Sequence, residues 1–425
     1  MRTQTFLIRF LAVGLACSAF GTFAAALTPG KLSKSKKKAQ AKQLALKSAL
    51  PHVAFAAATS PAVPPKTPLK AAPKQAVRPR VPAIDPTLGD VATGENAIAR
   101  QSAVQALGRL NGSIVVSEAG TGKILAMVNQ KMVLKSGFQP CSTIKVPVAL
   151  AALSESVVDR TTQIRLYGKT SMAMTEALAK SNNQYFASLG EKLGFERVSY
   201  YARLFGLGEK AGLNIEAGVN ADAEQPGILP AATPKSGMGM MTSFGDGITL
   251  TPLEFAGLLG AVANGGNLYY LQYPKTPEAA EAIEPRMKRR LEIADLIPEI
   301  KPGMMGAVEY GTARRAGFDP NEPIYGKTGT CSDKRNPTRL GWFGSFTEVN
   351  GQKVVVVVLL TGGTVASGPS AAGVAGQVYK NLQAANYFAQ SVPDSVRPQS
   401  QPTVRAGLQS SLGFQNFVLP TAQKP

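Results

Sequence analysis

The sequence predicts an α+β fold, in which a five-stranded antiparallel sheet flanked by helices is joined to a mostly helical subdomain. Two apolar runs that are typical of strands open the folded region, and three more lie near its end. The sequence between them is mostly helical and is punctuated by glycine. The five strand candidates are residues 113–117, 123–128, 324–330, 341–346 and 353–360.

Turn and helix signals support this arrangement. A turn that contains Gly120 and Gly122 joins the first two strand candidates, and Asn350-Gly351, a frequent hairpin turn, lies between the last two. Helical periodicity in residues 95–110 and 369–388 predicts a helix at each end of the sheet region. Strands at both ends with helices between them therefore favour one sheet plus a helical subdomain.

The composition divides the chain into four parts. Residues 1–26 resemble an export signal, because two arginines precede an apolar stretch that ends in Ala24-Ala25-Ala26; an uncleaved anchor is the alternative. Residues 27–92 are a basic linker rich in Pro and Lys, which cannot bury a core. We assign 93–390 to a catalytic domain and 391–425 to a disordered tail. Export predicts a periplasmic or cell-envelope location, and we expect no large module ahead of the domain.

The positive charge is concentrated near the start of the chain. The formal net charge of the 425 residues is +19, and residues 1–90 contain 14 Lys and Arg but only 2 Asp and Glu. The remainder has an ordinary charge for a globular domain, so we expect no nucleic-acid binding. The basic linker can lie against the membrane surface or anionic wall polymers. The alternative is a solvated spacer without a partner.

The chemistry must work without histidine. The one histidine, His52, lies in the Pro/Lys-rich stretch, so a Ser-His-Asp triad is excluded. Ser142 begins an apolar helix, and Lys145 lies on the same face one turn later. A desolvated lysine with a lowered pKa can accept a serine proton. This pattern alone is weak, because the linker contains the same spacing twice, in Ser33/Lys36 and Ser35/Lys38.

Two further motifs follow in order. Ser181-Asn182-Asn183 supplies a hydroxyl and an amide, although polar residues at a helix end can also be caps. Lys327-Thr328-Gly329-Thr330 supplies a cation, hydroxyls and a glycine that a substrate backbone can approach, although a lysine on an edge strand is common. Ser181 follows Ser142 by 39 residues, and Lys327 follows Ser181 by 146. Order, spacing and local structure together indicate one acyl-transfer site.

With these motifs the chain resembles the penicillin-binding transpeptidases and serine β-lactamases, over roughly residues 93–385. The runs outside the motifs that carry the resemblance are residues 185–196, 201–208, 243–253, 263–266, 311–313 and 342–344.

The resemblance implies a mechanism and a set of ligands. Ser142 would attack the carbonyl of a D-alanyl-D-alanine stem peptide of peptidoglycan, or of a β-lactam, with Lys145 as general base. Ser181 would relay the proton, and Asn183 would hold the substrate's peptide bond. The N–H groups of Ser142 and Thr330 would form the oxyanion hole. Lys327, Thr328 and Thr330 would hold the terminal carboxylate beside Gly329. The family needs no cofactor and no metal.

The chain departs from the family pattern at Cys141, where penicillin-binding proteins usually carry glycine, and at Pro147, which is similar to class D β-lactamases. Some class A β-lactamases carry bridged cysteines at the positions that match Cys141 and Cys331. The resemblance therefore implies a Cys141–Cys331 disulfide, with two packed thiols as the alternative.

The resemblance leaves three functions open. The first is a D,D-transpeptidase or D,D-carboxypeptidase. The second is a β-lactamase, but we find no class A deacylation segment, since Glu216 lies in a stretch that resembles penicillin-binding proteins instead. The third is a β-lactam sensor, for which we see neither transmembrane helices nor a signalling domain.

Overall fold

The structure is a computed structural model, and it describes residues 85–135, 137–168, 170–333 and 338–389. These belong to the second of two units of the chain, Pro79–Pro425. Our predictions for the signal or anchor (1–26), for linker residues 27–84 and for the tail (391–425) lie outside the described residues. No helix in the described ranges is long and apolar enough to span a membrane.

The order of elements agrees with the sequence, with sheet strands at both ends and helices between them. The helices are α1 (Ala97–Leu107), α2 (Gln130–Val133), α3 (Lys145–Ser154), α4 (Met174–Ala179), α5 (Asn183–Leu204), α6 (Met238–Phe244), α7 (Pro252–Asn264), α8 (Pro277–Glu281), α9 (Ile297–Glu309) and α10 (Gly368–Ala384). The strands are β1 (Gly112–Glu118), β2 (Ile124–Val128), β3 (Ile164–Arg165), β4 (Ser171–Met172), β5 (Glu216–Ala217), β6 (Asp222–Ala223), β7 (Asn267–Tyr269), β8 (Met287–Arg290), β9 (Ile324–Asp333), β10 (Thr338–Val349) and β11 (Gln352–Thr361).

The main sheet has five strands in the order β2-β1-β11-β10-β9, and every neighbouring pair is antiparallel. The predicted five-stranded antiparallel sheet is therefore confirmed. β10 and β11 turn at Asn350-Gly351, where both residues have positive φ (51° and 81°), as a tight hairpin requires. The motif Lys327-Thr328-Gly329-Thr330 lies on β9, at one edge of this sheet.

Helices cover both faces of the sheet, which explains why β11 is apolar without interruption from Val354 to Leu360. Alternate side chains of a strand point to opposite faces. One set packs in a cluster with α1 and α10: Val354, Val356, Val358 and Leu360. The other set packs in the larger cluster that contains α7 and the helical subdomain: Val355, Val357 and Leu359.

The helical subdomain surrounds α3, which is buried from Lys145 to Leu153. Apolar residues of α3, α5 and α6 belong to one continuous core with the inner face of the sheet. A long apolar helix with no exposed stripe is typical of a central core element. The start of α3, with the functional motif, is thereby held between the subdomain and the sheet.

Residues 85–92, which we assigned to the linker, pack against the domain. The Asp90 carboxylate pairs with Arg100 at 2.8 Å and accepts backbone N–H groups from Asn129 and Gln130. The Val91 N–H donates to the Gln130 side chain at 2.9 Å. Ordered structure thus begins before residue 93, because a buried carboxylate is satisfied by the end of β2 and the start of α2.

Glu254 ties the middle of the chain to α7. It forms a capping box with Thr251 at the start of the helix. Its carboxylate also accepts the backbone N–H groups of Gly208 at 2.9 Å and Gly227 at 2.8 Å. One buried side chain therefore ties two irregular segments to the start of α7.

We predict that Glu254→Ala lowers the free energy of unfolding by about 3 kcal/mol or more, since each buried group left without a partner costs about 1–3 kcal/mol. Urea unfolding followed by the fluorescence of Trp342, the single tryptophan, measures this. The exposed Glu281→Ala serves as the control and should stay within about 0.5 kcal/mol of the wild type. Equal stabilities of the two variants would contradict the role of Glu254.

Candidate active site

Ser142 lies in a short 3-10 turn, Cys141–Ile144, which continues directly into α3 at Lys145. The turn brings the lysine side chain under the serine hydroxyl, because residues three apart share a helix face. Pro147 is the third residue of α3, where the missing N–H breaks no helical hydrogen bond. Ser142 is buried and retains 8% exposure, whereas Cys141 and Thr143 beside it have none.

The Lys145 amine is the centre of the site. Its Nζ lies 3.0 Å from Ser142 Oγ and 3.1 Å from Ser181 Oγ. It also lies 2.8 Å from the Ser181 carbonyl oxygen and 2.6 Å from Asn183 Oδ1. The structure therefore brings together four of the residues that the sequence analysis selected, from two motifs that are far apart in the chain.

Burial sets the charge of this amine. Lys145 has no exposed surface, and desolvation, with a smaller contribution from the Lys327 cation, lowers the pKa of Lys145 to about 6. The Phe186 ring, 5.6 Å from Nζ, forms part of the apolar wall. The amine is therefore mostly neutral at pH 7.5.

The hydrogen bonds of Lys145 Nζ then show which partners its lone pair can face. A neutral amine has two N–H donors and one lone pair. The Ser181 carbonyl and Asn183 Oδ1 can only accept, so they take the two N–H groups. The lone pair is left for a hydroxyl proton, from Ser142 or Ser181. This is the arrangement that a general base for a serine nucleophile requires.

The segment Ser181-Asn182-Asn183 combines a cap with the site. Asn182 is the N-cap of α5, and its side chain accepts the Tyr185 N–H at 2.9 Å. Ser181 adopts a positive φ of 56°, which presents its hydroxyl and its carbonyl oxygen to Lys145. The capping interpretation thus holds for Asn182, and the residues on either side of it contact the lysine.

The β9 motif borders the turn Cys141–Ile144, which we call the nucleophile turn after the role proposed for Ser142. Gly329 approaches so closely that a Cβ there would lie 2.9 Å from the Pro140 carbonyl oxygen and 3.2 Å from Cys141 Cβ. Lys327 is fully buried, its Nζ donates to the Thr328 carbonyl oxygen at 3.0 Å, and burial lowers its pKa to about 7. The Thr330 hydroxyl accepts the N–H of Gly368, at the start of α10, at 2.7 Å.

A disulfide joins Cys141 to Cys331, with their Cα atoms 5.6 Å apart. It connects residues that are 190 positions apart in the sequence. Cys141 directly precedes Ser142, and Cys331 directly follows Thr330, so the bridge links the nucleophile turn to β9.

Sequence reasoning assigned no role to Thr312, which nevertheless connects two motifs. Its hydroxyl lies 2.6 Å from the Thr328 hydroxyl, and its N–H donates to the Ala179 carbonyl oxygen, two residues before Ser181. Gln139 was also missed: its carbonyl oxygen accepts the Trp342 indole N–H at 2.9 Å, which supports the turn from β10. Thr312 lies in a run that we used only for the resemblance, and no local pattern reveals either contact.

Comparison with known families gives an independent result. A family model described as the penicillin binding protein transpeptidase domain matches residues 112–382. This range contains the sheet, the helical subdomain and all three motifs.

Curated relatives agree with the family match. Stage V sporulation protein D of Bacillus subtilis is 27% identical over 232 residues, which is 48% of this chain and 34% of that protein. The peptidoglycan D,D-transpeptidase MrdA of Haemophilus influenzae is 27% identical over 275 residues, 53% of this chain and 41% of that protein. The chain therefore spans only a third to two fifths of the length of these two relatives. PbpA of Mycobacterium tuberculosis, also called a peptidoglycan D,D-transpeptidase, is 26% identical over 66% of this chain and 68% of its own length.

Solved structures share the fold. The crystal structure of PBPA from M. tuberculosis superimposes with a TM-score of 0.56 at 24% identity, over 68% of this chain and 81% of that one. PBP2 of Pseudomonas aeruginosa gives a TM-score of 0.57 at 23% identity, over 73% of this chain and 78% of that one. The family match covers well over half of the 425 residues, and the chain therefore belongs to the penicillin binding protein transpeptidase domain family.

Proposed function

We propose that this protein is a serine D,D-transpeptidase that forms an acyl-enzyme on Ser142 with the D-alanyl-D-alanine peptides of peptidoglycan, and that penicillins acylate the same serine. The observation that carries the proposal is the contact of the fully buried Lys145 amine, whose pKa burial lowers to about 6, with both Ser142 Oγ and Ser181 Oγ. Such a base-activated hydroxyl is the requirement for acyl transfer without histidine.

In the first half-reaction Lys145 accepts the Ser142 proton as Oγ attacks the carbonyl carbon. Negative charge then develops on the carbonyl oxygen, and the N–H groups of Ser142 and Thr330 stabilise it. Their proposed role is supported by the close approach of β9 to the nucleophile turn at Gly329. A donor of this kind contributes about 3–4 kcal/mol in other acyl-transfer enzymes.

The leaving amine must then gain a proton. The Ser181 hydroxyl is 3.1 Å from Lys145 Nζ, so it can pass the proton from the lysine to the departing D-alanine. The Asn183 amide, whose oxygen accepts from Lys145, has its NH₂ group left to hold the substrate's peptide bond. Lys327, Thr328 and Thr330 hold the terminal carboxylate, which a partly protonated lysine and two hydroxyls suit.

An amine of a second stem peptide then takes the acyl group and completes the cross-link. The names of the relatives in H. influenzae and M. tuberculosis support transfer to an amine rather than to water. Structures of M. tuberculosis penicillin-binding protein A as ceftriaxone and imipenem acyl-enzymes support β-lactams as ligands. We therefore propose that the domain acts outside the cytoplasm, in the cell envelope. The N-terminal sequence would export the chain, and its basic linker would lie against the membrane surface or anionic wall polymers.

Incubation with benzylpenicillin should convert the full-length chain into a stable adduct of one penicillin per protein. Intact-mass spectrometry with a time course detects the adduct, and peptide mapping should place it on Ser142. The adduct should persist for many minutes, because a transpeptidase site deacylates slowly without an amine acceptor.

Ser142→Ala is the control and should form no adduct, while Ser33→Ala, in the linker copy of the motif, should react as the wild type does. A transient adduct with rapid consumption of the antibiotic would indicate a β-lactamase instead. No adduct on a folded wild-type chain would contradict the mechanism.

The pH profile of acylation should show two limbs that belong to the coupled lysines. The rate constant should rise through about pH 6 as Lys145 loses its proton, and fall above about pH 7 as Lys327 becomes neutral. Removal of the Lys327 charge raises the pKa of Lys145, so Lys327→Met should move the lower limb to higher pH. Stopped-flow or quenched labelling with a fluorescent penicillin measures both profiles.

Lys301→Met is the matched control. Lys301 is also partly buried with a lowered pKa, but its ammonium contacts the Tyr325 and Phe346 rings and not the site. This variant should keep both limbs in place. A lower limb near pH 10 in the wild type would show that Lys145 is an ordinary lysine and would exclude it as the base.

A further inference from the structure

The residue before the nucleophile has a backbone conformation that favours glycine. Cys141 has φ = 53°, in the left-handed region. A side chain there brings Cβ close to the backbone, so residues other than glycine, asparagine and aspartate rarely adopt it. Such conformations persist where the surrounding structure over-determines them, and they cluster at functional sites.

The Cys141 side chain packs in the core, and its covalent contact is the disulfide. The side chain is fully buried and is joined to Cys331 on β9. The neighbouring hydrogen bonds hold other residues of the turn: Trp342 binds the Gln139 carbonyl, and the Thr143 hydroxyl and N–H bind the Pro140 carbonyl. Of these contacts, only the disulfide holds the Cys141 side chain. The Cβ of that side chain is what disfavours the left-handed backbone conformation.

The position of the bridge matters for the reacting atoms. The N–H of Ser142 belongs to the peptide plane between residues 141 and 142, so the backbone dihedrals of Cys141 set its direction. The bridge's other end directly follows Thr330, the second proposed oxyanion donor. A bond between residues 141 and 331 therefore fixes the direction of the Ser142 N–H. It also fixes the distance of that N–H from the Thr330 N–H.

We infer that the Cys141–Cys331 disulfide positions the oxyanion donors for acylation, and that it does so by holding a non-glycine residue in the conformation that glycine would adopt without help. In this chain the bridge thus offsets the energetic cost of a Cβ at position 141, where the backbone is left-handed. The inference rests on the proposed function for the role of the two N–H groups, but the backbone claim can be tested separately.

Two double variants separate the backbone effect from the loss of the cross-link. Both Cys141→Ala/Cys331→Ala and Cys141→Gly/Cys331→Ala lack the disulfide, and they differ only by one methyl group at position 141. The alanine pair should acylate about tenfold more slowly than the wild type, which corresponds to about 1.4 kcal/mol, the scale of the left-handed penalty. The glycine pair should recover to within about threefold of the wild type.

The readout is the acylation rate constant with penicillin, separated from the affinity of the initial complex. A bridge that only stabilises the fold would lower the melting temperature of both variants and leave the rate constant of the folded protein unchanged. Equal rate constants for the alanine and glycine pairs, whether both fast or both slow, overturn the inference.

Reduction of the wild type repeats the test without substitution. A dithiothreitol thiolate attacks Sγ of Cys331, which is partly exposed, and Cys141 departs as a thiolate that takes a proton. The second dithiothreitol thiol then releases Cys331 and closes its own cyclic disulfide. Acylation should slow about tenfold, as in the alanine pair, and return on reoxidation, while the glycine pair should not respond. A reduced wild type that acylates at the oxidised rate contradicts the inference.

Hydrogen exchange tests the backbone claim without any substrate. Amides in a peptide that spans residues 139–146 should exchange faster in the alanine pair than in the wild type, and at near wild-type rates in the glycine pair. A wild type that takes no penicillin would sink the proposed function, and the exchange comparison would still decide whether the bridge holds the turn. Equal exchange in the two pairs would show that it does not act through residue 141.

Discussion

The burial of one amine is the constraint on which the site depends. Lys145 is fully buried at the junction of the helical subdomain and the sheet, and this burial, with the nearby Lys327, lowers its pKa to about 6. A charged ammonium there would be costly, whereas the neutral amine is satisfied by two carbonyl-type oxygens and retains its lone pair. The same surroundings that lower the pKa of the lysine therefore suit it to the proposed role of base for Ser142.

The fold supplies this environment from three directions. The 3-10 turn provides Ser142, and the start of α3 provides Lys145. Ser181 lies just before α5, and Asn183 is the first residue of that helix. The strand β9 provides Lys327 at the edge of the sheet. Gly329 allows β9 to approach the nucleophile turn, and the disulfide closes that contact covalently. Thr312 links the segment before α5 to β9, because it bonds to Ala179 and to Thr328. A site between two layers of the structure is rigid only when such cross-links hold the layers together.

The sequence was sufficient to predict the parts of the molecule that have a local periodic pattern of residues. Alternating or continuous apolar runs predicted the five strands, and the spacing of Ser142 and Lys145 placed both on one helix face. The contacts of Thr312 with Thr328, of Glu254 with Gly208 and Gly227, and of Asp90 with the end of β2 could not be predicted, because they join distant segments without a periodic pattern. The left-handed conformation of Cys141 also has no signal in the residue itself, since cysteine does not favour it. The disulfide was implied by resemblance alone.

The charge of Lys145 decides whether Ser142 has a base beside it, and a direct titration measures that charge. Lysine side chains labelled with ¹³C and ¹⁵N in the full-length chain can be followed by NMR from pH 4 to 11, with Lys145→Arg to assign the signal. We expect the Lys145 amine to titrate near pH 6, well below the ordinary range of a lysine. A Lys145 signal that titrates near pH 10, in the ordinary range of a lysine, would mean that the amine is charged at neutral pH and cannot accept the serine proton.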